Sequence, residues 1–273
     1  MNDTIINDVC LLIPSCPRHF HYIYNILDSI LRNDISIDIY IVFSSDSDYQ
    51  LFDKKDMIKP IFSNASGPGI VNIKKFDGLK YLRDSNINIK YVIVTDSELC
   101  INPINFTKSN IIKKIESIFD NKILYAGKVT DVSFVNINRI SSNVFDHVHQ
   151  RRLGDLTDNF SLYHWWGDLP VYRISDLTHF FNSIDDTNIL FHHFDNIIYN
   201  YYLILFHGFS IINITNITGI PYSMEYSFIS DTRVLNKLLD ISLGFGWVVK
   251  RLYNMNTMFF DQTGTFLMFH LDR

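Results

Sequence analysis

Short apolar strands alternate with amphipathic helical segments through the first half of this chain. Apolar runs of strand length occur at residues 9–13, 37–43, 91–94 and 123–126. Apolar residues at helical spacing predict helices between them, at residues 19–31, 74–83 and 108–119. This β-α-β-α order predicts an α/β fold, with a mainly parallel central sheet and helices on both of its faces.

The second half of the chain has shorter strand-like pieces, separated by polar turns. Strands are predicted at residues 132–137, 162–166, 171–174 and 209–214, and helices at residues 177–183, 195–206 and 235–243. Gly208 supplies a left-handed cap for one of these helices. The pieces predict a smaller mixed or antiparallel sheet. Because no linker or internal repeat interrupts the chain, we expect a single domain over residues 1–273, with two halves that meet near residue 128.

The composition is that of an ordinary folded protein, and the net charge disfavours nucleic acid as a partner. Hydrophobic residues make up 47% of the chain and charged residues 19%, which excludes a disordered segment. The net charge of −5 argues against nucleic-acid binding, which usually needs a basic face. Three cysteines without metal-ligand spacing, and no signal or transmembrane segment, predict a cytoplasmic protein. Peripheral attachment to a membrane stays open, because exposed aromatic side chains would serve it.

Two carboxylates follow the third apolar strand directly, in the segment Asp96-Ser97-Glu98, called the acidic tip below. Side chains at positions i and i+2 of extended backbone point the same way. Asp96 and Glu98 are therefore expected to face one point at the carboxyl end of the strand, where open α/β sheets bind ligands. Hard oxygen ligands suit Mg²⁺ or Mn²⁺, which commonly complete their coordination with substrate phosphates. The tip predicts a site for a nucleotide diphosphate.

The order of these features resembles the nucleotide-sugar-dependent glycosyltransferases of the GT-A fold. Pro14 and Ser15 after the first strand are similar to the family's opening motif, and the acidic, serine-rich turn at residues 45–48 follows the second strand. The helix at residues 75–82 and the acidic tip resemble the family's helix and its Asp-x-Asp strand end. Glu98 departs from that motif, since the family has Asp at this position.

The resemblance implies the ligands of a donor site. The nucleotide-sugar-binding residues that it implies, together with basic neighbours for a dianionic donor, are Pro14, Ser15, Arg18, Asp46, Lys75, Lys80, Asp96 and Ser97. The metal ligands that it implies are Asp96, Glu98 and His270, the last because many relatives place a late histidine on the metal. A UDP-sugar is the favoured donor from family frequency.

A second resemblance lies downstream, where inverting members of the family place a catalytic carboxylate at the start of a helix. Asp195 matches this position, although the preceding residue is Phe194 where those members commonly have Glu. The resemblance implies that Asp195 takes the proton from the acceptor hydroxyl as a general base. A helix-capping role for Asp195 is the structural alternative.

The densest aromatic cluster of the chain predicts the acceptor site. Aromatic faces pack against sugar rings while Trp N–H and Tyr O–H groups supply hydrogen bonds. The predicted acceptor-binding or sugar-binding residues are Trp165, Trp166, Asp168 and Tyr172. Core packing alone is the competing explanation for each of them.

These features together predict a metal-dependent hexosyl- or pentosyltransferase of glycan biosynthesis. It would use a nucleoside diphosphate sugar as donor and a glycan or a lipid-linked hydroxyl as acceptor, with inversion expected through Asp195. On this interpretation the halves at about 1–128 and 129–273 bind the donor and the acceptor. A retaining enzyme of the same fold, and a catalytically silent sugar- or nucleotide-binding protein, stay open as alternatives.

Overall fold

The computed structural model describes residues 8–32, 34–85, 88–97, 99–101, 108–128, 132–156, 163–164, 171–213 and 268–270. The strands are β1 (Val9–Pro14), β2 (Asp38–Phe43), β3 (Lys59–Phe62), β4 (Tyr91–Val94), β5 (Leu99–Ile101), β6 (Ile123–Lys128), β7 (Tyr163–His164), β8 (Val171–Arg173), β9 (Ser210–Asn213) and β10 (Met268–His270). The α-helices are α1 (Phe20–Arg32), α2 (Asp46–Gln50), α3 (Ile70–Asp84), α4 (Lys108–Asn121), α5 (Val132–Ser142), α6 (His147–Leu156), α7 (Leu177–Asn182) and α8 (Asp195–His207).

A five-stranded sheet in the order β3-β2-β1-β4-β8 forms the centre of the fold. The first four strands pair in parallel, and β8 adds an antiparallel edge. Nearly every residue of β1, β2 and β4 is buried, as expected for parallel strands that are covered on both faces. The predicted α/β fold with a mainly parallel central sheet is confirmed. The carboxyl ends of the parallel strands meet at one edge.

Helices α1 and α3 cover opposite faces of this sheet. Val42 and Phe43 are consecutive in β2, so their side chains point to opposite faces. The ring of Phe43 lies 6.1 Å from that of Phe20 in α1, centroid to centroid, whereas Val42 lies against Gly78 of α3. A Cβ atom at Gly78 would fall 2.7 Å from a methyl carbon of Leu12, so the absence of a side chain lets α3 approach the sheet this closely.

Two smaller sheets lie beyond the central one. Strand β6 pairs in parallel with β9 and antiparallel with β7. Strands β5 and β10 form an antiparallel pair, in which His270 lies opposite Leu99. Gly208, with φ of 70°, caps α8 in the left-handed conformation, as predicted. The predicted helix at residues 235–243 lies outside the described residues.

The sequence-based prediction of a strand at residues 132–137 is wrong, because this segment begins helix α5. Its buried side chains include Ile137, Asn138 and Ser141, which follow helical spacing. Two of the three are polar and are satisfied in the core, for example by Tyr201, whose hydroxyl donates to Oδ1 of Asn138 at 2.8 Å. Polar residues on the buried face conceal the helical pattern of hydrophobicity on which the prediction depended.

Besides the three-residue strand β5, three further elements of the first 160 residues were not predicted from the sequence. Strand β3 carries Pro60, which lacks an N–H for pairing, and it lies at the edge of the sheet where proline is tolerated. Helix α6 buries Leu153 alone among its side chains, and α2 has five residues with none buried. All three therefore lack the hydrophobic periodicity that identifies an element in sequence.

Among the residues that the structure describes, no helix combines the length and the apolar character needed to cross a lipid bilayer.

Candidate functional site

The acidic tip begins where β4 ends, at the carboxyl edge of the central sheet. The N–H of Thr95 donates to a main-chain carbonyl of β1 at 2.9 Å, so the chain stays paired one residue beyond the strand. Asp96 and Ser97 are then held from two different elements. Lys75 of α3 pairs with Asp96, and His19, directly before α1, hydrogen-bonds Ser97. Asp96 and Ser97 are thus held by groups that come from opposite faces of the sheet.

Lys75 bridges two carboxylates that are 99 positions apart in sequence. Its Nζ atom lies 3.0 Å from Oδ1 of Asp96 and 2.9 Å from Oδ1 of Asp195. The side chains of Lys75 and Asp195 are 9% and 1% exposed, whereas that of Asp96 is 42% exposed. Among these three groups, Asp96 alone presents a substantial part of its side chain to the surroundings.

Asp195 is the first residue of α8, and both of its carboxylate oxygens are engaged. Lys75 donates to Oδ1 at 2.9 Å, and the hydroxyl of Tyr172 in β8 donates to Oδ2 at 2.6 Å. Phe194, and not Asp195, holds the N-cap position of α8, so the capping alternative does not account for these two hydrogen bonds. Because both of its oxygens are occupied, Asp195 is better suited to positioning Lys75 than to contacting a substrate directly.

The charges of this group are mutually stabilising. Burial alone would lower the pKa of Lys75, but the carboxylates of Asp195 and Asp96 together raise it above its ordinary value. Burial and the nearby Asp195 raise the pKa of Tyr172 well above its ordinary value. Lys75 therefore stays an ammonium and Tyr172 stays a hydrogen-bond donor at neutral pH. The result is an orienting chain from Tyr172 through Asp195 and Lys75 to the half-exposed Asp96.

His19 is a contributor to this region that sequence reasoning missed. It ends the helical turn Pro17–His19 between β1 and α1, and its Nδ1 atom lies 2.7 Å from Oγ of Ser97. Ser97 is buried. A histidine shortly after the first strand is compatible with such a contact, but the sequence gives no indication that Ser97 is its partner.

Lys74 is a second residue that the sequence analysis passed over. It is 3% exposed, and its ammonium donates to the main-chain carbonyl of Ser15, at the end of β1, at 2.5 Å. Burial lowers the pKa of Lys74 below its ordinary value, an effect that Asp48 and Cys16 partly offset. Its place in the helix could have indicated its burial, because Lys74 and Lys75 fall on the face of α3 that also buries Gly78 and Leu79.

The other predicted donor-site residues differ in how far they are exposed. Pro14 and Ser15 are buried at the end of β1, and the Ser15 hydroxyl is occupied by a hydrogen bond to a main-chain carbonyl of β2 at 3.0 Å. Arg18 and Asp46 are exposed and follow β1 and β2, so they lie towards the carboxyl edge of the sheet. Their roles in donor binding stay predictions.

Lys80 is not part of the group formed by Tyr172, Asp195, Lys75 and Asp96, called the Lys75 group below. Its ammonium forms an ion pair with Asp186 at 2.5 Å and lies over the ring of Phe181. A lysine five positions after Lys75 is rotated away from it on the helix, because successive residues turn by about 100°. The structure thus separates the two lysines that the sequence analysis grouped.

Of the four predicted acceptor residues, Tyr172 lies in the part of the chain that the structure describes. Trp165, Trp166 and Asp168 lie outside the described residues. Tyr172 is 0% exposed and its hydroxyl is committed to Asp195. This placement corrects the expectation that Tyr172 lines a pocket, because a fully buried ring has no face to offer a sugar.

Asp96 fits a divalent cation as one ligand, since it offers a partly exposed, hard carboxylate oxygen donor. The described residues contain no group of three His, Cys, Asp or Glu side chains that would complete such a site. Glu98 lies outside the described residues, and the backbone of His270 is described as part of β10. The β5–β10 pairing puts His270 opposite Leu99, which directly follows Glu98 in sequence. The backbone thus brings one predicted metal ligand, His270, to the segment that follows the acidic tip.

No model of a known protein family matches the chain, and no curated protein matches it in sequence. Among solved structures, the galactosyltransferase LgtC in complex with donor and acceptor sugar analogs is 12% identical, with a TM-score of 0.42 over 97% of this chain and 87% of that chain. The 4-diphosphocytidyl-2C-methyl-D-erythritol synthase from Anaerococcus prevotii is 16% identical, with a TM-score of 0.32 over 74% of this chain and 99% of that chain. Both TM-scores are low, and the fold class therefore stands on the strand order and pairing of this chain.

Proposed function

We propose that this protein is a metal-dependent glycosyltransferase that moves a sugar from a nucleoside diphosphate sugar to an acceptor hydroxyl. A UDP-sugar is the preferred donor, and a glycan or lipid-linked hydroxyl the preferred acceptor. The proposal is supported by the sequence resemblance to GT-A glycosyltransferases and by a parallel sheet whose carboxyl edge carries the acidic tip.

One observation carries the proposal: a half-exposed carboxylate, Asp96, is held in place at that edge by a buried cation. Orienting Asp96 requires Lys75, which is itself held by the buried Asp195. Exposed carboxylates that only terminate a strand have no need of such support. Functional groups, by contrast, require neighbours that fix their geometry.

In the proposed reaction the chain's residues bind and orient the donor. Asp96, with Glu98 and His270, would hold Mg²⁺ or Mn²⁺. That cation, when bound, supplies charge neutralisation for the departing nucleoside diphosphate. Lys75 keeps Asp96 from rotating away, and its own charge is balanced by Asp195. His19 holds the adjoining Ser97. Fixed geometry of this kind avoids reorganisation during bond cleavage.

The stereochemical outcome depends on what Asp195 does. As a general base it would have to accept a proton from the acceptor hydroxyl, and inversion would follow. With both oxygens engaged and the side chain 1% exposed, Asp195 is better suited to positioning Lys75, and this favours the retaining alternative. Determination of the product anomer by NMR distinguishes the two reactions.

The test of the proposed function is donor hydrolysis. The full-length protein with Mn²⁺ is expected to release nucleoside diphosphate slowly from one member of a panel of nucleotide sugars, even without an acceptor. Asp96→Ala should reduce this release at least about a hundredfold, because it removes a metal ligand, while the melting temperature changes little. Unchanged turnover in Asp96→Ala would remove the metal assignment.

A catalytically silent binding protein is the second candidate, favoured by Glu98 in place of the family's Asp. It predicts that a nucleotide sugar raises the melting temperature of the protein, since a ligand that binds the native state stabilises it, with no release of nucleoside diphosphate. Release above the rate of a matched Asp96→Ala sample excludes this candidate.

A further inference from the structure

Lys74 is a buried cation that the proposed reaction does not yet use. Its side chain is 3% exposed, and its hydrogen bond to the Ser15 carbonyl satisfies one of three ammonium donors. In the parts of the chain that the structure describes, no carboxylate forms an ion pair with it. The neighbouring Lys75, by contrast, has two carboxylate partners.

A buried ammonium without an anionic partner is unfavourable, because desolvation is not compensated by attraction to an opposite charge. Asp48 and Cys16 act on Lys74 at longer range, but neither forms an ion pair with it. Such a group is destabilising for the empty protein. It becomes favourable when a ligand delivers negative charge to it.

The position of Lys74 indicates where that ligand would lie. Its ammonium sits at the end of β1, and Lys75 reaches the end of β4, the neighbouring strand. Adjacent strands are about 4.8 Å apart, so the ammonium groups of the two lysines lie at neighbouring points of one sheet edge. The chain then leaves the sheet through Cys16, which is half-buried, and Arg18, which is exposed. The Ser15 carbonyl that accepts from Lys74 is therefore followed directly by partly exposed chain.

We propose that Lys74 is a phosphate-binding residue, whose ammonium donates to a phosphate oxygen of a nucleotide lying over the ends of β1 and β4. This inference rests on the proposed function and extends it to a residue that the sequence analysis did not assign. Lys75 and Lys74 then have separate tasks. Lys75 is neutralised by protein carboxylates and positions Asp96, whereas Lys74 is neutralised by the ligand.

The experiment compares the full-length wild-type protein with Lys74→Met and Lys74→Gln by isothermal titration calorimetry. Both variants remove the charge, and the Gln side chain keeps an N–H donor for the Ser15 carbonyl. The probes are the tightest-binding nucleoside diphosphate among UDP, GDP, ADP and CDP, the corresponding monophosphate and nucleoside, and inorganic pyrophosphate. Lys59→Met is the control, because Lys59 begins β3 at the opposite edge of the same sheet and its removal changes the net charge equally.

Loss of a charge-assisted hydrogen bond should weaken binding of the diphosphate and the monophosphate roughly 10- to 100-fold in both variants. Binding of the nucleoside should not change, and Lys59→Met should bind all probes as the wild type does. The melting temperatures of the Lys74 variants should equal or exceed that of the wild type, since an uncompensated buried charge has been removed.

The inference and the proposed function fail in different ways. Equal diphosphate affinity in wild type and Lys74→Met overturns the inference and leaves the function standing. Equal weakening of the nucleoside also overturns it, because Lys74 would then contact the base or the sugar. If pyrophosphate binds through Lys74 but no nucleotide binds, the phosphate site is supported and the proposed nucleoside diphosphate sugar donor is overturned. A wild-type protein that binds none of the four probes overturns both the inference and the proposed function.

Discussion

At the scale of single residues, adjacent lysines in one helix have opposite electrostatic surroundings. Lys75 lies between two carboxylates, whereas the described contact of Lys74 is to a main-chain carbonyl. Consecutive helical positions differ by about 100°, so one lysine reaches the end of β4 and the other the end of β1. A one-residue offset along α3 thereby separates a positioning role from a ligand-binding role.

Lys75→Met tests the buried charge group. The substitution leaves the Asp195 carboxylate buried with Tyr172 as its remaining described partner, and breaking a buried ion pair in this way costs about 3–5 kcal/mol. We expect the free energy of unfolding, measured by urea denaturation, to fall by that amount.

Lys59→Met is the matched control, because Lys59 pairs with Asp38 in an exposed ion pair. Such pairs contribute no more than about 1 kcal/mol. If both variants lose the same stability, Lys75 does not hold the site together.

At the scale of elements, the segment between α7 and α8 is fastened to the start of α3. Nδ2 of Asn72 donates to the main-chain carbonyls of Leu190 and Phe191 at 3.1 and 3.2 Å. A Cβ atom at Gly69 would fall 2.1 Å from the carbonyl oxygen of Ile189, so the two backbones are in direct contact. This segment leads into Asp195, and its attachment therefore helps to set the position of the Lys75 group.

His193 makes the stability of this segment dependent on pH. Its Nδ1 atom accepts a hydrogen bond from the N–H of Leu190 at 2.8 Å, which a proton on Nδ1 would abolish. Burial lowers the pKa of His193 below its ordinary value of 6.5, and the charge of His192 acts in the same direction. The unfolded chain therefore binds the proton more readily, so this contribution is complete above pH 6.5 and is lost as the pH falls below it.

We expect the free energy of unfolding to decline between about pH 7 and pH 5, with a smaller slope in His193→Gln. The measurement is urea denaturation at a series of pH values. His21→Gln, which replaces an exposed histidine, should keep the wild-type slope. A His193→Gln profile parallel to that of the wild type would show that His193 is not the responsible group.

At the scale of the whole molecule, the acidic tip joins parts of the chain that are far apart in sequence. Strand β10 pairs with β5 immediately after the tip, and α8 supplies Asp195 from the second half of the chain. The division into a donor half and an acceptor half is therefore not strict at this edge. Residues from both halves assemble around Asp96.

His270→Ala tests whether the β5–β10 pairing serves metal binding. If His270 is a ligand, the Mn²⁺ concentration needed for half-maximal donor hydrolysis should rise at least about tenfold, since even supporting groups around a metal contribute that much affinity. His21→Ala is the control and should not change the metal requirement. An unchanged requirement in His270→Ala would remove His270 from the ligand set.

Much of the central sheet was predictable because its signals are local. Strands β1, β2 and β4 and helix α1 were predicted within one residue of their observed bounds, since continuous apolar runs and helical periodicity are properties of short segments. Helix α3 was predicted without its first turn. Helix α5 was mistaken for a strand, because its buried face carries Asn138 and Ser141. Edge strand β3 and the weakly buried α6 gave no periodic pattern.

The amino-acid sequence by itself determined a mainly parallel sheet and the place of Asp96 directly after one of its strands, because parallel pairing follows from the alternation of strands and helices along the chain. Only the tertiary structure decided which charges meet. The pairing of Lys75 with Asp195 spans 120 positions, and no local pattern distinguishes Lys75, held by two carboxylates, from Lys74, which has no carboxylate partner among the described residues. Long-range packing sets those distances, and it therefore separates the lysine that organises the site from the lysine that we propose binds phosphate.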